Sequence, residues 1–127
     1  MPLVRIDMRE GPSESFRQGV GDVVYEALLA IGVPVNDRFQ VISAHKEGGL
    51  VFDSSYLGIS RTDGIVMIQI TLNEGRSLEL KRKLYKSIAD LLNERLAVRR
   101  EDVFINLVEV KKENWSFGNG EAQYMDS

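Results

Sequence analysis

Cysteine is absent from this 127-residue chain, and histidine occurs once. Without thiols there is no disulfide, no thiolate nucleophile and no cysteine-bound metal. The lone histidine, His45, excludes a multi-histidine metal site within one chain. Any Ser-His-Asp triad would have to use it, and no Gly-x-Ser-x-Gly elbow is present. No Gly-x-Gly-x-x-Gly or P-loop fingerprint occurs either. The apolar runs fall well short of a membrane span. The first residues lack the basic and apolar regions of a signal peptide, so a cytoplasmic location with no membrane association is expected. A net charge of −3 leaves no footprint for nucleic acid. What is present is an ordinary globular balance, 43% hydrophobic and 28% charged, in a chain sized for one domain.

The chain opens "MPLVRIDM". Proline lacks a backbone N–H, so within a strand it suits only the first position. If Met1 is removed, Pro2 becomes the terminus and its ring nitrogen is a secondary amine. That amine can take a proton or attack a carbonyl.

The remainder of the chain repeats itself. Residues 3–8 read as a strand, and Ser13 in "GPSESF" is placed to cap a helix. Phe16, Val20, Val23, Val24, Ala27, Leu28 and Ile31 form one amphipathic stripe, stopped by Gly32 and Pro34. "RFQVISAH" (38–45) is a second strand. About 64 residues on, the order recurs. "GIVMIQITL" (64–72) is apolar enough to expect burial on both faces. Ser77 stands where Ser13 stood, and Leu80, Leu84, Ile88, Leu91 and Leu92 continue the second stripe. "EDVFINLVEV" (101–110) closes the pattern, its Asp102-Val103-Phe104 echoing Asp37-Arg38-Phe39.

These features predict one α/β (α+β) domain over 1–127. Two tandem β-α-β units, about 2–62 and 63–112, precede a C-terminal arm, 113–127. Right-handed crossovers place both helices on one face of a four-stranded sheet. The opposite face still carries apolar residues, and the sequence has no third layer, so further copies of the chain are expected to cover it. "LVFD" in the connector (45–64) can pair as a short edge strand. The arm, rich in aromatics and glycine, suits an ordered segment lying over a neighbour, with Gly118 and Gly120 permitting sharp turns.

"MPLVRIDM", "VPVNDRFQVISAH", "EGRSLELKRKLY", "EDVFI" and "WSFGNGEAQY" occur in this order across nearly the whole chain. Together with the duplicated β-α-β units they resemble the tautomerase superfamily, in particular its malonate semialdehyde decarboxylase-like subgroup. The resemblance implies a homotrimer with sites near the subunit boundaries, and a catalytic amino-terminal proline exposed by loss of Met1. It also implies catalysis without metal or other cofactor. In the repeat, Pro2 aligns with mid-chain Val66, so one site per chain is expected.

The residue types fit such chemistry. A neutral Pro2 amine carries a proton between the oxygen and carbon of an enol, whereas a cationic one polarises a ketone. Apolar burial and nearby cations favour the neutral form. Arg76, at the start of the second helix, offers a planar fork for a carboxylate beside helix N–H groups. A small oxo acid is therefore the expected substrate. The resemblance gives Asp37 a catalytic part, although an aspartate before a strand also serves as a turn residue. Trp115, Phe117 and Tyr124 can wall a dry pocket. One departure stands out: decarboxylases of this group have an R-x-R loop, and here its first position is Glu74. Arg38 is then a candidate second cation.

The first expectation is thus a tautomerase of small 2-oxo acids, an isomerase, with Pro2, Asp37 and Arg76 catalytic. Arg76, Trp115, Phe117 and Tyr124 would bind substrate. The alternatives are a lyase that decarboxylates a small 3-oxo acid and a non-catalytic trimeric binding protein.

Overall fold

Along the first strand Val4, Ile6 and Met8 alternate with Leu3, Arg5 and Asp7. That period of two decides which face is buried. The computed structural model describes residues 1–125, and the last two residues of the predicted arm lie outside the described residues. Strands β1 (Leu3–Arg9), β2 (Phe39–His45), β3 (Val66–Asn73) and β4 (Val103–Val110) form one sheet in the order β2-β1-β3-β4. Pairs β1–β2 and β3–β4 are parallel, as two β-α-β units require. The central pair β1–β3 is antiparallel, with Ile6 opposite Ile68.

The two helices, α1 (Glu14–Leu29) and α2 (Leu78–Leu96), begin alike. Ser13 accepts from Phe16 N–H at 3.1 Å and Ser77 from Leu80 N–H at 3.2 Å. Each cap satisfies an amide that the helix leaves unpaired. The helices end differently. Ala30 ends α1 and Gly32 follows with φ +100°, whereas α2 is capped by Ala97 in the left-handed region at φ 55°.

The helices cover one face of the sheet. Val20, Val23, Val24, Ala27 and Leu28 of α1 and Leu84, Ile88 and Leu92 of α2 pack with Val4, Ile6, Met8, Ile68, Ile70 and Leu72. Each such side chain contributes about 1.5–3 kcal/mol by leaving water. The other face is open within the chain. Phe39 is 50% and Phe104 46% exposed there, and Gln69 of β3 is exposed beside them. Within one chain β3 packs one face on the helices and leaves the other uncovered. "LVFD" does not join the sheet. Leu50 is buried, but 51–53 run without regular structure.

Candidate active site

The sheet order itself gathers the site. Parallel pairing sets Leu3 beside Phe39, so Pro2 and Asp37, just ahead of those strands, start at the same end. Antiparallel pairing sets Leu3 opposite Thr71, so β3 finishes at that end too, followed by the loop to α2. Asn73 pairs with Val110, from which the arm departs. Four separate stretches thereby converge where the chain begins.

Pro2 is buried, and with Leu3, Phe39, Trp115, Ser116 and Phe117 it lines a cavity of about 190 Å³. Asp37 is only 8% exposed. Neither of its carboxylate oxygens has a hydrogen-bond partner among the described residues. Its nearest charged neighbour is the terminal amine of Met1, 3.6 Å from Oδ2. A buried carboxylate without a hydrogen bond is costly, and such groups are uncommon unless they serve a ligand or reaction. Asp102, its counterpart in the second unit, is satisfied in full contrast. It accepts from Thr62 N–H at 2.7 Å and Thr62 Oγ1 at 2.6 Å, with Arg99 3.5 Å away.

The arm supplies an aromatic wall. Trp115 and Phe117 stack at 5.5 Å between centroids, 14° from parallel, and Tyr124 meets Phe117 edge-on at 5.3 Å. Positive φ at Gly118, Asn119 and Gly120 turns the chain between them. Gln123 fixes the turn, accepting from Phe117 N–H at 2.9 Å and donating to the Gly118 carbonyl at 2.6 Å. The arm thus folds back over its own chain.

Arg76 does not line the cavity. Gly75, at φ +116°, reverses the chain after β3, and Arg76 Nη1 donates to the Asn73 carbonyl at 3.2 Å. Nearby Glu109 is held below the usual carboxylate range, chiefly by a hydrogen bond from Lys81 Nζ, with a small contribution from the charge of Arg76. Among the described residues no ion pair includes Arg76. Glu74 is exposed, its amide donating to Val110 O.

Arg38 is not a second cation at this site. It bonds Asp22 at 2.8 Å and lies over the Tyr25 ring, against α1. His45 is at the far end of β2, its Nε2 2.6 Å from Asp7 Oδ1. One residue that the sequence did not single out belongs here. Asn73 accepts from Trp115 Nε1 at 2.7 Å and donates to Tyr124 OH at 3.3 Å. Its only signal was its place as the last residue before "EGRS".

The same architecture and much of the same sequence recur in known proteins. A family model described as a tautomerase enzyme matches residues 37–118. Probable tautomerase YusQ of Bacillus subtilis (strain 168) is 41% identical over 127 residues, 99% of this chain and 100% of that protein. The crystal structure of FG41 malonate semialdehyde decarboxylase inhibited by 3-bromopropiolate has a TM-score of 0.90 at 34% identity, covering 97% of this chain and 94% of that one. A fused 4-OT symmetric trimer shares the fold, with a TM-score of 0.78 at 17% identity over 98% and 99% of the two chains.

Proposed function

The chain belongs to the tautomerase superfamily, in its malonate semialdehyde decarboxylase-like group, and from that premise we propose that it is a cofactor-free tautomerase of small 2-oxo acids. The observation that carries this reading is a buried Pro2 lining an aromatic cavity, with the buried carboxylate of Asp37, which has no hydrogen bond among the described residues, at the same end of the sheet. Removal of Met1 turns the Pro2 nitrogen from an amide into an amine. In the reaction, that amine takes the hydroxyl proton of a 2-hydroxy-2-enoate as the C2–O bond becomes a carbonyl. The same proton is then delivered to C3, leaving the amine neutral for the next turnover.

Asp37 stands 3.6 Å from the terminal amine of the full chain, near enough to steady an ammonium formed at this end. Arg76 is the carboxylate anchor in this scheme, a half-buried guanidinium without an ion pair of its own among the described residues. Trp115, Phe117 and Tyr124 keep water from the carbon to be protonated.

We further propose a homotrimer. The open sheet face carries Phe39, Val41, Phe104 and Val108, each more than a third exposed. The fold relative named above is a trimer, and sedimentation at micromolar concentration should give three chains.

A second reading is decarboxylation of a small 3-oxo acid. It is favoured by the 34% identity to a malonate semialdehyde decarboxylase. There a cationic Pro2 polarises the 3-oxo group, or its amine condenses to an imine, as the carboxylate leaves as CO₂. Borohydride trapping of a Pro2 adduct supports the imine route.

The deciding experiment is phenylenolpyruvate ketonisation by protein shown by mass to lack Met1, with Pro2→Ala as control. A rate that collapses in the control supports the tautomerase. A rate no better than solvent for both refutes it and leaves the decarboxylase to be assayed.

A further inference from the structure

Resting on the tautomerase reading, we infer that Asn73 is a positioning residue that holds the aromatic wall in fixed relation to the carboxylate anchor. Its two carbonyl oxygens and its amide nitrogen make three contacts. The main-chain oxygen accepts from Arg76 Nη1 at 3.2 Å. The side-chain oxygen accepts from Trp115 Nε1 at 2.7 Å, and the side-chain nitrogen donates to Tyr124 OH at 3.3 Å. Indole nitrogen is only a donor, so Oδ1 must face Trp115 and Nδ2 is left for Tyr124. The amide has one orientation that serves both rings.

Those two rings carry the only polar handles on the wall. Phe117, between them, has none and is placed by stacking on Trp115 and by its edge contact with Tyr124. Asn73 ends β3, whose ladder to β4 extends to the Asn73–Val110 pair. The arm is therefore hydrogen-bonded to the end of β3 through this side chain, and Arg76 through the same residue's backbone. A displacement near 1 Å between binding groups lowers turnover by about a hundredfold in well-ordered sites. Replacing the side chain leaves the Arg76 contact in place and frees the wall alone.

The chain has one tryptophan, so its intrinsic emission reports on this wall directly. In Asn73→Leu, both ring contacts are lost while the main-chain carbonyl stays. Trp115 emission should shift to the red, acrylamide quenching should quicken, and kcat/KM for phenylenolpyruvate should fall about ten- to a hundredfold. In Asn73→Asp, the carboxylate still accepts from Trp115 and receives the Tyr124 hydroxyl proton. Emission should stay as in the parent.

A parent-like spectrum in Asn73→Leu, or a kcat/KM within twofold of the parent, overturns the inference. If Asn73→Leu does not fold, Asn73→Ala takes its place: a red-shifted Trp115 emission with a lowered kcat/KM supports the inference, and a parent-like spectrum or kcat/KM overturns it. If the parent itself shows no turnover, the tautomerase reading fails. The Asn73→Leu emission then decides the hold on the wall alone, a shift supporting it and a parent-like spectrum refuting it.

Discussion

Replacing Asp37 and Asp102 by alanine, one at a time, should move stability by very different amounts, although the two residues occupy equivalent places in the repeat. Asp102 is 2% exposed and accepts two short bonds from Thr62. A hydrogen bond to a charged group contributes about 1.5–3 kcal/mol, and the two share one donor residue, so Asp102→Ala should lose about 3 kcal/mol. Asp37 forms no hydrogen bond, and its ion pair with the terminal amine is 3.6 Å long. In the chain that lacks Met1 this pair is gone, and relief of a buried carboxylate without a hydrogen bond returns about 1–3 kcal/mol. Asp37→Ala should therefore leave stability unchanged or raise it by about 1–2 kcal/mol. Its kcat/KM should nonetheless drop more than about tenfold, within the usual range for a lost proton-transfer group. Urea unfolding at matched protein concentration measures both, with the slope checked for constancy. A loss near 3 kcal/mol in Asp37→Ala would refute the argument, because it would mean that the carboxylate holds the fold rather than awaiting a substrate.

Three other outcomes follow from the geometry. Arg76→Ala should lower kcat/KM by about two to three powers of ten, and Arg76→Lys should recover little, since an ammonium lacks the planar fork; steady-state kinetics decide both. Any residue retained ahead of Pro2 should cut ketonisation by at least about a hundredfold without changing the melting temperature, as mass-verified preparations with and without Met1 will test. Glu26, Asp90 and Glu109 are held below the usual carboxylate range, by Arg95, by Lys86 with Arg100, and by Lys81 respectively. Their folded pKa values lie below the unfolded ones, so the contribution is present at neutral pH and disappears as pH falls through the folded values. The melting temperature should decline on acidification below the ordinary carboxylate range, and Lys81→Gln should make that decline shallower in a pH series.

Much of the fold was legible because burial writes itself into periodicity. The stripes over Phe16–Ile31 and Leu80–Leu92 mark the faces that the helices bury, and Ser13 and Ser77 both cap as expected. The end of α2 was not legible, since Ala97 takes the left-handed turn that glycine usually supplies. The near-continuous apolar run "GIVMIQITL" puts Met67 and Thr71, both half-buried in the single chain, on the face turned away from the helices. The repeat predicted two units but not their mutual direction. Only the antiparallel β1–β3 seam brings Arg76 and the arm to the end where Pro2 lies. Asn73 escaped notice for a similar reason. An asparagine at a strand end is unremarkable until the chain returns 42 residues later with an indole N–H. Arg38 looked available from its neighbour Asp37, but α1 claims its guanidinium through Asp22 and the Tyr25 ring.

The antiparallel seam also relates the two halves by an approximate half-turn, and this bears on where the chain can be cut. A circular permutant opened ahead of β3, with the arm joined to β1, would preserve every strand pair while moving the free terminus to the opposite end of the sheet. Pro2 would become an ordinary internal imide. A proline installed as the new first residue would lie beside Asp102, whose oxygens already serve Thr62. The halves are alike as architecture, so on the proposed chemistry it is the topology of the polypeptide's ends, not the shape of either half, that selects the one able to react.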